Sequence, residues 1–141
     1  MSETPLRPLL ATPERRAELL ARVPELPRID VDDRTAADLE LLGNGGFTPL
    51  TGFLTKADYD GVVERMRLAN GSPWSIPITL AVANDHPAAK TGDDAALWHA
   101  GRPGAVVHVR ERFGYDKARE AKNVFRTEDP AHPGVAALVT R

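Results

Sequence analysis

The stretch Leu41 to Phe53, Leu-Leu-Gly-Asn-Gly-Gly-Phe-Thr-Pro-Leu-Thr-Gly-Phe, constrains the fold more than any other part of the chain. Four glycines, one proline and two phenylalanines fall within its thirteen residues. Glycine opens backbone geometries with positive φ, and proline holds φ near about −65°. The aromatic rings can anchor such a turn in a core. The segment therefore reads as a rigid, packed connection between two helices and not as a flexible linker. It carries no nucleophile–base pair, and its glycines lack the trailing lysine of a phosphate loop.

Helix signals flank it. Thr12-Pro13-Glu14 combines a capping side chain, a proline suited to the first turn and an acid at the positive end of the dipole. Leu19, Leu20 and Val23 then share one face before Pro24. Pro27 to Val31 reads as a short extended piece. Thr35-Ala-Ala-Asp38 fits a capping box and predicts a helix that runs to Leu42 and closes on Gly43. Thr55-Lys-Ala-Asp58 repeats the pattern ahead of Tyr59, Val62, Val63 and Met66, the clearest amphipathic spacing in the chain, with Asn70-Gly71 as its stop.

Trp74, Ile76, Ile78, Leu80 and Val82 are apolar at every second position, which predicts a half-buried strand with Pro77 on its other face. Asn84-Asp-His-Pro reads as a turn and Lys90 to Asp94 as a polar loop. Ala95 to His99 and Ala105 to Arg110 read as strands joined by a turn at Gly101-Arg-Pro-Gly104. Asp116 to Phe125 reads as a helix with Ala118, Ala121 and Phe125 inward. A proline-punctuated loop, Thr127 to Gly134, precedes a last apolar run, Val135 to Val139. Strands and helices are mixed without strict alternation, which favours α+β.

At 141 residues, 42% hydrophobic and 27% charged, the chain is expected to form a single domain with a real core. Its net charge of −2 gives no bulk attraction to nucleic acid or anionic lipid. With no cysteine, disulfides, thiolate metal sites and cysteine nucleophiles are excluded. No apolar run matches a signal peptide or a membrane helix, so the expectation is a soluble, cytoplasmic protein with no membrane partner.

Catalytic chemistry needs titratable groups that converge. His86, His99, His108 and His132 show no metal-ligand spacing, and His86 and His132 each precede a proline in a turn. Asp30, Asp32 and Asp33 gather at a helix start, where the dipole stabilises negative charge. Ser2, Ser72 and Ser75 lie outside any nucleophile-elbow context. No catalytic, cofactor-binding or metal-binding residue is therefore assigned, and no cofactor is expected. The segment from Arg110 to Arg126 holds six basic and three acidic residues. With Phe113 and Tyr115 nearby, its basic residues Arg110, Arg112, Lys117, Arg119, Lys122 and Arg126 form the candidate interaction surface.

Four segments resemble, in order, the N-terminal domain of the ATP sulfurylase (sulfate adenylyltransferase) family. They are Asp38-Leu-Glu-Leu-Leu-Gly-Asn-Gly-Gly-Phe-Thr-Pro-Leu-Thr-Gly-Phe53, Tyr59 to Gly71 with Met66-Arg-Leu68, Trp74-Ser-Ile-Pro-Ile-Thr-Leu80, and Asp116 to Val135. The resemblance covers residues 28 to 138. It implies a PUA-like fold, a mostly antiparallel β pseudobarrel flanked by short helices. It makes residues 1–141 one such domain, with 1–27 as a helical lead-in. The family's catalytic runs, Gln-x-Arg-Asn-Pro-x-His and Gly-Arg-Asp-His-Ala-Gly, belong to a second, nucleotidyltransferase domain and do not occur here. The family often opens with Pro-His-Gly-Gly, where this chain has Pro5-Leu-Arg-Pro8.

The expectation is a non-catalytic accessory domain whose partner is a sulfurylase catalytic domain or a homo-oligomer. Two alternatives stay open: a free-standing PUA-like RNA-binding module contacting RNA through Arg110 to Arg126, and a sulfurylase whose second half is encoded separately. The overall acidic balance makes nucleic acid the less expected partner.

Overall fold

A computed structural model describes residues 8–82, 86 and 90–139. They divide into two compact units, one of Met1–Phe53 with Asn84–Arg110, the other of Leu54–Ala83 with Glu111–Arg141. Among the described residues the architecture is α+β, with five α-helices and one three-stranded sheet.

In the first unit, helix α1 (Pro13–Arg22) starts where expected, its Thr12 side chain accepting from the Arg15 amide at 3.1 Å. Its apolar face is only partly covered, with Leu19 half-buried and Leu20 exposed. No residue of α1 is buried, and only Val23, in the 3₁₀ turn that follows, reaches the core. Strand β1 (Arg28–Asp30) buries Ile29 between two exposed residues. It pairs in parallel with β2 (Asp94–His99), which pairs in antiparallel with β3 (Arg102–His108).

The expected pseudobarrel is thus represented by a mixed sheet ordered β1-β2-β3, its longer ladder antiparallel. The β2–β3 turn differs from the sequence reading. It consists of Ala100 and Gly101, both at positive φ (51° and 77°), so Arg102 to Gly104 already belong to β3. Positive φ at both central residues is the two-residue hairpin geometry whose twist matches the flanking strands. Between Leu97 and Trp98 the register skips Gly104, a bulge beside Pro103, on the edge strand where a missing donor is tolerated.

Helix α2 (Asp33–Asn44) begins earlier than the Thr35 box suggested. Asp32 caps it by accepting from the Thr35 amide at 2.8 Å, and it closes on Gly45 at φ 85° rather than on Gly43. The glycine-rich segment is a bonded turn, as its composition required. Phe47 donates to the Leu41 carbonyl, the amide and hydroxyl of Thr48 to that of Gly45, and Leu50 to that of Phe47. Leu42 and Leu50 are buried.

In the second unit, Thr55 caps α3 (Lys56–Arg65), which buries Tyr59, Val62 and Val63. The helix stops at Arg65, five residues before the expected Asn70-Gly71 stop. Met66 takes the left-handed conformation at φ 55° and is exposed, so it does not extend the apolar stripe. Trp74 to Val82 is not a strand. The chain there is irregular, with one isolated bridge, Arg67 to Pro73, just ahead of it. Ile76 is exposed, while Pro77 and Ile78 are buried and the Ile78 carbonyl accepts from Leu54. Period-two alternation fails here because the proline face also turns inward. The Asn84-Asp-His-Pro turn lies, except for His86, outside the described residues.

The expected 116–125 helix is α4 (Lys117–Glu120) continued as a π-type turn through Phe125. Ala118 is exposed, contrary to expectation, whereas Ala121 is buried. The last apolar run is helix α5 (Pro133–Val139), whose Val135 and Leu138 pack with Ala121, Tyr115 and Phe125. No helix among the described residues is long and apolar enough to cross a membrane.

Gly61 in α3 lets the chain curl back after the helix. Its carbonyl accepts from Arg67, and a Cβ added at Gly61 would lie 2.4 Å from the Arg67 carbonyl oxygen. Backbone cannot yield as a side-chain tip can. Gly61→Ala is expected to lower stability by about 1–3 kcal/mol. Gly52→Ala, where nothing lies within 4 Å, is expected to stay within about 0.5 kcal/mol of the parent. Urea midpoints of the two variants check both values.

Candidate interaction surface

The structure divides the six basic residues read from the sequence. Arg110, exposed, falls in the first unit, and Arg112, Lys117, Arg119, Lys122 and Arg126 in the second. Arg112, Lys122 and Arg126 are exposed, and Lys117 is half-buried at the start of α4. Arg126 stands at φ 61°, which ends the π-type turn. Arg119 turns toward its own unit. Asp116 caps α4 through the Arg119 amide at 3.1 Å, and the Arg119 guanidinium donates to Glu64 at 3.1 Å and lies 3.5 Å from Asp60. Asp60 also accepts from Lys56 at 2.7 Å. The Lys56 ammonium holds the Asp60 carboxyl below the usual carboxylate range, with Arg119 adding to the effect. The local basic excess is therefore partly compensated by acids of α3, 55 and 59 positions earlier.

Beneath this ion network lies a pair the sequence did not reveal. Tyr59 and Glu120 are both 3% exposed, and the Tyr59 hydroxyl donates to Glu120 Oε1 at 2.6 Å. Burial pushes the Tyr59 phenol well above its ordinary range, and the neighbouring carboxylate adds to that. The phenol thus stays a donor under all ordinary conditions. Phe113 and Tyr115 close on the Tyr59 ring, with centroids at 5.3 and 6.0 Å. Spacing could place Tyr59 on the inner face of α3. Nothing local marks Glu120 as buried, because glutamate at that helix position is ordinarily solvated.

The first unit has its own ionic arrangement. Asp94, at the start of β2, accepts from Arg22 at 2.7 Å on one oxygen and contacts His108 Nδ1 at 2.7 Å on the other. The Arg22 guanidinium, and after it His108, hold the Asp94 carboxyl below the usual range. His99 Nε2 lies 2.7 Å from Asp33, and Arg28 stacks over the Trp98 ring at 4.2 Å while pairing with Asp30. Asp30, Asp32 and Asp33 thus do three separate jobs: a pair, a helix cap and a histidine contact. His132 accepts from the Gly134 amide at 3.0 Å and rests against Phe125, a turn role as expected. Among the described residues, no three His, Asp or Glu side chains gather where a metal ion could be held.

The chain belongs to the PUA-like domain family, which it matches over residues 2–141. The resemblance read from its motifs holds: its relatives are sulfate adenylyltransferases, and it corresponds to their N-terminal part. It is 50% identical over 121 residues to the sulfate adenylyltransferase of Deinococcus deserti, covering 86% of this chain and 31% of that protein. With the sulfate adenylyltransferase of Nostoc punctiforme it shares 46% over 134 residues, 94% of this chain and 34% of that protein. The chain thus spans about a third of the length of the curated relatives it matches. Among solved structures it is similar to the hexameric APS kinase from Thiobacillus denitrificans, with a TM-score of 0.64 and 34% identity. That likeness covers 72% of this chain and 21% of the other.

Removing the Tyr59 hydroxyl strands a buried carboxylate oxygen. Tyr59→Phe is expected to lower stability by about 1–3 kcal/mol. Because both variants remove one interaction, Tyr59→Phe with Glu120→Leu is expected to cost less than the two single changes summed, as urea titration of the double-mutant cycle would read.

Asp94 makes a pH prediction. Its carboxyl titrates lower in the folded than in the unfolded chain, so its stabilisation is present above the unfolded value of about 3.9. That stabilisation is lost as pH falls through the lower folded value. Asp94→Asn is therefore expected to be the less stable protein at about pH 7, with the gap narrowing below about pH 4. Urea melts at neutral pH and in steps below that value measure the narrowing.

Proposed function

We propose that this chain is the non-catalytic PUA-like domain of a sulfate adenylyltransferase, working by packing against the nucleotidyltransferase part of that enzyme or between its subunits. Such an enzyme joins sulfate to ATP, giving adenosine 5′-phosphosulfate and pyrophosphate. The observation that carries this reading is the coverage: 86% of the chain, but 31% of its Deinococcus deserti relative, lies in the aligned region. The chemistry agrees with it. Stabilising a phosphorus transition state calls for preorganised cations and donors converging on one point. Here Arg119, Arg22 and Arg28 are each engaged by carboxylates of their own unit.

Within this reading residues 1–141 act as one domain of a cytoplasmic enzyme. Arg112, Lys117, Lys122 and Arg126 offer a polar contact surface on the second unit, with Arg119 contributing less because Asp60 and Glu64 compensate it, and Arg110 offers a contact on the first. The hexameric solved relative gives a precedent for assembly in proteins carrying this domain.

The test replaces the matched third of the Deinococcus deserti sulfate adenylyltransferase with this chain. The chimaera is expected to unfold in one transition and to release pyrophosphate from ATP and sulfate, while the chain alone releases none. Pyrophosphate release by the chain alone, or independent melting of the two parts of the chimaera, would overturn the reading.

A further inference from the structure

Two of the four asparagines are followed by glycine, at Asn44-Gly45 and Asn70-Gly71. Asparagine is chemically labile, and a following glycine has no side chain to screen its backbone nitrogen from the neighbouring carboxamide. Both asparagines are exposed, and both make the same local bond. Asn44 Oδ1 accepts from the Gly46 amide at 2.8 Å, and Asn70 Oδ1 from the Ser72 amide at 2.9 Å. Each carboxamide is thereby drawn across the glycine peptide between.

The backbone around the two pairs separates them. Asn44 is the last residue of α2, and Gly45 is buried. The Gly45 carbonyl accepts from both the amide and the hydroxyl of Thr48, at 3.1 and 2.7 Å. Bringing the Gly45 nitrogen to the Asn44 side chain means rotating the helix end and releasing that double hold. Asn70 and Gly71 instead lie in an exposed turn outside any helix. There the Leu68 amide donates to the Ser72 carbonyl at 2.8 Å, and the Gly71 amide to the Leu68 carbonyl at 2.9 Å. Gly71 sits at φ 90°, and nothing lies within 4 Å of a Cβ placed on it, so a new ring has room. The bond from Gly71 to Leu68 has to open, but no helix has to unwind.

We infer that Asn70 is a site of spontaneous covalent modification in the folded chain, closing with Gly71 to a succinimide that water opens to aspartate or isoaspartate, while its helix end protects Asn44. The Gly71 nitrogen gives up its proton to solvent and adds to Asn70 Cγ. Negative charge collects on Oδ1, where the Ser72 amide already donates and stands preorganised to stabilise it. The carboxamide nitrogen then leaves as ammonia. Water adding at the side-chain carbonyl of the ring breaks its bond to the Gly71 nitrogen and leaves an aspartate. Adding at the backbone carbonyl, it leaves the chain running through the side-chain carbon, an isoaspartate. Either product places a carboxylate in the turn, and the isoaspartate also lengthens the main chain beside buried Leu68. The inference stands apart from the function proposed above.

The test incubates the chain in mildly alkaline buffer, folded and in parallel in urea, and follows its tryptic peptides by fragmentation mass spectrometry. Residues 35–56 carry Asn44, and residues 68–90 carry Asn70. In the folded chain, conversion at position 70 is expected to run roughly five- to tenfold faster than at position 44, the ratio set by about one hydrogen bond more to open. In urea the two rates are expected to converge. Enzymatic methylation of isoaspartate in the aged, folded chain is expected to drop to background in Asn70→Gln and to persist in Asn44→Gln. Equal or faster conversion at position 44 in the folded chain would overturn the inference. So would an Asn70 that stays intact in the folded chain over the time in which it converts in urea.

Discussion

Strand β2 occupies the middle of the sheet, and that position governs the first unit. A central strand has neighbours on both sides, so its amides and carbonyls must all find ladder partners. Ala95, Ala96 and Leu97 are each 0% exposed, which means both faces of the strand are covered. Two successive alanines let neighbouring layers come close on both sides, while Leu97 and Ile29 supply bulk. The remaining features of the sheet follow from this. Edge strand β1 needs only three residues, and edge strand β3 can carry Pro103 and the Gly104 bulge without opening the ladder. Asp94, where β2 begins, can then serve as the acceptor that ties Arg22 and His108 together.

The second unit relies on a different constraint. It buries a carboxylate, Glu120, and satisfies it with one phenol from a helix 61 positions earlier. A buried ionisable group is costly when unpaired, so this contact specifies how α3 and α4 meet more sharply than apolar packing would. Arg119 adds a partly exposed clasp above it through Glu64 and Asp60. Exposed ion pairs of this kind contribute little to stability, on the order of 0–1 kcal/mol, but they hold Arg119 against α3. The paired groups of this unit act on its own architecture.

Local signals were legible where a residue acts on its near neighbours. Thr12 and Thr55 cap the helices their spacing announced, and the glycine-rich turn is bonded through Gly45 as its composition demanded. The first of the family motifs, Asp38 to Phe53, spans that turn. Other readings failed where two local options competed. Asp32 took the capping role from Thr35, since its carboxylate reaches the Thr35 amide and starts the helix earlier. Trp74 to Val82 alternates like a strand, but no neighbouring strand pairs with it among the described residues, and alternation without a ladder is not a sheet.

The candidate surface divides along the same line. That Arg110 to Arg126 is basic follows from composition alone, and so does a turn between the two strands, although the sequence set it at Gly101 to Gly104 and the structure turns at Ala100-Gly101. Covalent geometry and hydrogen bonds across three or four residues carry such information, and they act before the chain has folded. Which carboxylate would meet Arg119, that Glu120 would leave water, and that Leu20 of α1 would stay exposed depended on chain closure. The partners of Arg22, Arg119 and Tyr59 lie 72, 55 and 61 positions away, and only burial brings such groups within reach of each other.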